Sequence, residues 1–292
     1  MPADAFRPRS SSEILDASVQ LLRVHYAPLL VLSAIAWVPR LVVSVTGKAY
    51  VRPALGVGAS VTTLVLVLVA MAWFVIAQAA MLVAVSDIYV GGGANPARAL
   101  RAALTRPGAI ILSVLAKVIL IAVGLLIAGI GMGVVAALVA GVGSAMPRGI
   151  ALVLVGVGIG AAIFAGVWWS LRMFAFYFAV PATVVLEQLG AGAALTRANQ
   201  LARGSALRIV LTLVLLYIIY LAVLALLGAV VYLAFHGFVL TQTLVTVFAL
   251  FVYPIIPVVT ALLYYDLRIR KEGYDIELMA GALNDPPATQ PA

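Results

Sequence analysis

Residues 109–141 read AIILSVLAKVILIAVGLLIAGIGMGVVAALVAG, with Lys117 as the only charged side chain in the run. About 20 consecutive apolar residues are enough for a helix to cross a bilayer, so this stretch predicts a transmembrane helix with residues to spare. Five more stretches of the same kind lie around it, at 27–46, 61–86, 149–181, 208–235 and 240–265. Composition agrees: of 292 residues 65% are hydrophobic and only 10% charged, with a mean hydropathy of +1.20. A water-soluble domain carries about a quarter charged residues to cover its surface, so a soluble core is excluded. The expected fold is an all-α polytopic membrane helical bundle, a single membrane domain over 1–292 with six transmembrane helices plus amphipathic interfacial helices. The runs at 109–141 and 149–181 exceed the bilayer thickness and must tilt, bend or project.

Charge sets the direction. The 18 Lys+Arg against 10 Asp+Glu give a net +8, which in a soluble protein would suggest nucleic acid; here no nucleic acid is expected, because the basic residues flank apolar spans and suit anionic headgroups. Twelve of them (Arg7, Arg9, Arg23, Arg98, Arg101, Arg106, Arg197, Arg203, Arg208, Arg268, Arg270 and Lys271) fall on one side, against Lys48, Arg52 and Arg148 on the other. Both termini are therefore expected in the cytoplasm, in a bacterial inner membrane, the Arg-rich usage being that of GC-rich bacterial coding. The first 25 residues contain Asp4, Glu13 and Asp16 and no apolar core of signal-peptide length, so the first span is expected to target the chain. The outer loops, about 47–60, 142–148 and 236–239, are too short to form domains.

The inner segments resemble one another. In SSSEILDASVQLLR, Ser10 and Glu13 form a capping box and Leu15, Val19, Leu22 and Tyr26 an apolar stripe, predicting a surface helix over 10–26. Asn95 as N-cap and Pro96 at the first helical position start another over 95–106, stopped by Pro107-Gly108, and 194–203 holds a third, ended by Gly204. Each precedes two spans, which makes a pseudo-threefold repeat of interfacial helix and hairpin. Each inward span also ends on an acid, Asp87, Glu187 or Asp266, and these are the only acids between residues 17 and 271. An acid at a helix C-terminus opposes the helix dipole. Two readings stand: clasps to Arg98, Arg101, Arg197, Arg203 and Arg270 that pin the surface helices, or three solvated helix ends.

Within the spans, Lys117 and Arg172 are candidate contacts for an anionic lipid or a substrate, since no acid lies mid-span to pair with them. The other reading is that both long side chains snorkel to the inner headgroups. Gly129, Gly133, Ala137 and Gly141 form one row of small residues, Gly156 and Gly160 a second, Gly158, Ala162 and Gly166 a third; such rows predict a tight hairpin or self-association as a homo-oligomer. Pro254 and Pro257 should bend the last span.

The chemistry available is narrow. There is no cysteine, and the two histidines, His25 and His236, lie on opposite sides of the bilayer, so no metal site, cofactor or catalytic residue is expected. No phosphate-binding GxxxxGK[ST] run and no GxSxG elbow occurs.

VPATVVLEQLGAGAALTRANQLARG (Val180–Gly204) and LLYYDLRIRKEGYDIEL (Leu262–Leu278), with the N-terminal SEILDASVQLLRVHYAPLL, resemble the bacterial integral-membrane family named after the membrane domain of glycerophosphoryl diester phosphodiesterase. The resemblance covers nearly the whole chain. It rests on Pro181, Glu187, Leu195, Arg197, Leu201 and Gly204 in the middle and on Asp266, Arg268, Arg270, Glu272 and Gly273 near the end, while Ala198 stands where the family has Ser. It implies a bundle of about six spans and carries over no phosphodiesterase chemistry, because neither His25-Tyr26 nor His236-Gly237 supplies the catalytic His-Arg element. The function expected is a non-catalytic scaffold or accessory subunit in lipid or cell-envelope processes, with anionic lipids and a protein at the cytoplasmic face as partners. The alternative is a transporter or scramblase of lipid or a small amphiphile that uses Lys117 and Arg172. A disordered tail is expected over 281–292.

Overall fold

A computed structural model describes residues 9–50, 57–90, 93–142 and 147–274. The tail expected over 281–292 and much of the outer connections at 47–60 and 142–148 lie outside the described residues. Among the described residues all regular structure is helical: α1 (Ser11–Val24), α2 (Tyr26–Tyr50), α3 (Val57–Tyr89), α4 (Pro96–Ala103), α5 (Pro107–Val142), α6 (Arg148–Phe176), α7 (Val180–Leu186), α8 (Ala191–Ala202), α9 (Ala206–Phe235), α10 (Phe238–Val252) and α11 (Ile255–Glu272). The runs 64–89, 107–141, 149–186, 206–235 and 240–272 are each long and apolar enough to cross a membrane; α1 with the first half of α2, which meet at 93°, bring the candidates from five to six. Large apolar side chains on these runs face outward, among them Leu126, Leu152, Phe164, Leu207 and Leu226. Such a surface suits lipid tails and would aggregate in water. The chain is a multi-pass membrane protein.

The ends of the short helices follow local rules. Ser10 and Glu13 cap α1 reciprocally, with both capping-box hydrogen bonds present. Asn95 Oδ1 accepts from the Arg98 amide at the start of α4. Pro107 does more than stop α4, since it occupies the first position of α5, where its missing N–H costs nothing.

Two spans are interrupted. Three turn residues, 177–179, separate α6 from α7, and α7 is buried along most of its length. The α10–α11 joint at Tyr253-Pro254 leaves the Leu250 carbonyl without its helical donor, because Pro254 has no N–H. Ser33 Oγ donates to that carbonyl at 2.6 Å and Tyr26 Oη to the Phe251 carbonyl at 3.0 Å. The proline bend is thus a sealed joint against α2.

The core lies toward one end of the bundle, where α3 (Ile76–Val85), α7 and α11 are buried, while the α5–α6 hairpin packs mainly on itself. That hairpin does not use the rows Gly129–Gly141 or Gly156–Gly160: a Cβ on Gly129, Gly133, Gly141, Gly156 or Gly160 would meet nothing within 4 Å. The Gly158–Ala162–Gly166 row faces α5, so close that a Cβ on Gly166 would lie 2.5 Å from Ala128 Cβ and from the Gly124 carbonyl oxygen. This approach lets Trp169 Nε1 donate to the Leu120 carbonyl at 3.0 Å and Ser170 Oγ to that of Ile121 at 3.1 Å.

Candidate functional site

Asp87, Glu187 and Asp266 lie at one end of the bundle and carry unequal loads. Asp266 is the most enclosed, 3% exposed. It accepts from Arg270 Nε at 2.9 Å and the Arg9 amide at 2.7 Å, and Arg208 Nη1 lies 2.8 Å from it. Arg208 and Arg270 also donate to the Arg9 carbonyl, and Thr212 Oγ1 donates to Ser11 Oγ. One carboxylate therefore joins the start of α1 to α9 and α11.

Glu187 forms a second centre. Tyr264 Oη donates to its Oε1 at 2.6 Å and Arg197 Nε to its Oε2 at 2.7 Å. The same guanidinium grips Glu272 with both Nη atoms, at 2.6 and 2.9 Å, and Arg268 Nε reaches Glu272 at 3.1 Å. Burial works against the Arg197 cation, yet its hydrogen bonds to Glu272 and Glu187, with their charges, more than offset this and hold its pKa above the usual guanidinium range. Lys271 Nζ donates to the carbonyls of Gln200 and Arg203, closing the C-terminus of α8. Beside this lies a stack of Tyr89, Tyr265 and Tyr274, whose adjacent centroids are 4.6 and 5.8 Å apart, with Arg268 3.9 Å above the last ring. Tyr264 and Tyr265 are buried here.

Asp87 is weaker. Arg98 Nη2 lies 3.6 Å away with its side chain 71% exposed, and the buried Asp87 Oδ2 has no hydrogen-bond partner among the described residues. Arg101 and Arg203 form no ion pair among the described residues and remain exposed. Arg203 has left the helix (φ −56°, ψ 132°), contributing its carbonyl instead. Arg208 and Glu272, absent from the sequence expectation of clasps, are the partners that complete the network. Residues 180–204 and 262–274 converge in it, and their glycines Gly204 and Gly273 both take positive φ, as chain-reversing residues after helices.

Lys117 and Arg172 do not share a groove. Residues 172 and 174 point to different sides of α6, and the two cations serve different cavities. Lys117 lines an interior cavity of about 40 Å³ with Gln78, Tyr217 and Thr260, its Nζ 5.3 Å from the Phe174 ring centroid. Arg172, over the Phe176 ring at 5.1 Å, is exposed in an outward groove of about 340 Å³ bounded by Trp168, Leu171, Gly204, Leu207 and Val210. Arg172 and Gly204 line the same groove, which brings the loop after α8 beside α6. Among the described residues no three His, Cys, Asp or Glu side chains converge as metal ligands.

Comparison with protein-family models, with curated proteins and with solved structures found no match.

Proposed function

We propose that this protein is a non-catalytic six-span scaffold of a bacterial inner membrane, with both termini and the charged network on the cytoplasmic side, that holds an anionic lipid in the α6–α9 groove. One observation carries the reading: Arg172 faces that groove and has no carboxylate partner among the described residues. A cation within the hydrocarbon costs about 2.5–3.5 kcal/mol unless a counter-charge meets it. A lipid phosphate supplies that charge and matches the planar guanidinium fork, while Trp168, Leu171, Leu207 and Val210 offer walls suited to an acyl chain. Arg23, Arg101 and Arg203, exposed and without ion pairs among the described residues, add about 1 kcal/mol each of attraction to an anionic leaflet, or to the acidic surface of a protein partner. The network around Asp266 and Glu187 supports the pinning of α1 and α8 within three units of interfacial helix and hairpin, in line with the family resemblance. The outward Gly129–Gly133 and Gly156–Gly160 rows leave a face for self-association.

A second reading, transport of a lipid or small amphiphile, is favoured by the polar cavity at Lys117. Purification in mild detergent followed by mass spectrometry of retained lipids tests the first: anionic phospholipid retained by the wild type and lost at least fivefold in Arg172→Ala supports it, and equal retention overturns it. Lipid scrambling or solute flux in liposomes that disappears in Lys117→Ala would replace the scaffold with a transporter.

A further inference from the structure

We infer that the interior cavity beside Lys117 is a binding site for a carboxylate group. Four helices each direct a polar residue to it: Gln78 from α3, Lys117 from α5, Tyr217 from α9 and Thr260 from α11. Thr260 spends its hydroxyl proton on the Ile256 carbonyl at 2.8 Å. The side chains of Gln78, Lys117 and Tyr217 make no hydrogen bond among the described residues, and no acid lines the cavity. Phe174 holds two of the three in place, its face 5.3 Å from Lys117 Nζ and its ring 6.1 Å from that of Tyr217 in an edge contact.

Donors outnumber acceptors. A lysine ammonium offers three, a carboxamide two and a phenol one, against one amide carbonyl and two hydroxyl oxygens. The occupant must therefore be rich in acceptors, and beside an unneutralised lysine it must be negative. Lys117 lies about 15 Å along α5 from Pro107 at 1.5 Å per residue, well within the hydrocarbon, so water alone would leave its charge uncompensated. Size selects the anion. A volume of about 40 Å³ corresponds to roughly three water-sized spheres, a match to the three heavy atoms of a carboxylate, and Lys117 repels a metal cation. The carboxylate comes either on a small free acid or at the end of a long-chain fatty acid whose tail leaves between the apolar walls.

The test uses the full-length protein in a non-ionic detergent, titrated with [13C]formate and separately with [13C]oleate against chloride at equal ionic strength, with binding read by NMR. Binding of formate to the wild type identifies a site for free small acids; binding of oleate alone identifies the fatty-acid end group. In either case Lys117→Met weakens the apparent affinity at least tenfold and Tyr217→Phe at least threefold, while Arg106→Gln, an exposed cation elsewhere, leaves it unchanged. Should Lys117→Met fail to fold, Tyr217→Phe and Gln78→Leu decide, and wild-type affinity in both overturns the proposal. It is equally overturned if neither acid binds above chloride, or if folded Lys117→Met binds as tightly as the wild type.

Discussion

Arg208 Nη1, in the first turn of α9, lies 2.8 Å from Asp266 Oδ2, near the end of α11, and the carboxylate it meets is almost completely enclosed. The pair is one arm of a junction, since the Arg9 amide and Arg270 Nε use the same acid. The helix dipole opposes an acid at this place, and three charged or polar donors reverse that penalty. What the acid gains is position: it fixes where α1 begins.

Asp266→Asn should be the most damaging of the acid substitutions. It leaves Arg208 and Arg270 without their shared charge in a half-buried setting, which should destabilise by about 2–4 kcal/mol, somewhat below the cost of breaking a fully buried pair. Asp87→Asn should change stability by less than about 0.5 kcal/mol, because its Arg98 partner is mostly solvated and the pair is long. Reversible unfolding in mixed micelles orders the two. Equal losses would mean that Asp266 and Asp87 are equivalent clasps.

Tyr264→Phe isolates a single hydrogen bond. The ring is fully buried and its hydroxyl donates to Glu187 at 2.6 Å, so the variant keeps the packing and removes one donor from an ionised acid. A loss of about 1–2 kcal/mol follows, less than the full value for a charged acceptor since Arg197 still serves Glu187. No change in unfolding free energy would show that Glu187 replaces the phenol with water.

The apolar runs, the capping box at Ser10 and the three acids at helix ends were readable in the sequence because each is a local pattern. Long-range pairing was not. Nothing near Asp266 announces Arg208, and nothing near Arg197 announces Glu272, since both are brought together by bundle geometry. The turn at 177–179 that ends α6 was not legible either, since no proline stands inside it to signal the break. On α6 the rows Gly156–Gly160 and Gly158–Ala162–Gly166 have the same spacing and face different ways. Periodicity finds both and cannot say which one meets α5.

That choice of row can be tested directly. Gly166→Val should force α5 and α6 apart, since even a Cβ would lie 2.5 Å from the Gly124 carbonyl oxygen, and should destabilise by about 1–3 kcal/mol or more. Gly160→Val points into open space and should fall within about 0.5 kcal/mol of the wild type. Melting of the two proteins in the same detergent compares them; a more stable Gly166→Val would refute the close approach.

Sidedness is the last prediction, and the absence of cysteine makes it clean, because every introduced thiol reports alone. Ser12 on α1, Arg101 on α4 and Arg203 after α8 belong to the end of the bundle that holds Asp266, Asp87 and Glu187, while His236 closes α9 at the far end of a 30-residue helix. With six crossings, Ser12→Cys, Arg101→Cys and Arg203→Cys should share one protection pattern toward a membrane-impermeant maleimide in intact cells. All three should react only after the membrane is opened. His236→Cys should react without opening. If Ser12→Cys were to label from outside while Arg101→Cys stayed protected, α2 would not cross the bilayer, the number of spans would be five, and α1 would have to reach Asp266 from the wrong side, which the Arg9–Asp266 hydrogen bond forbids.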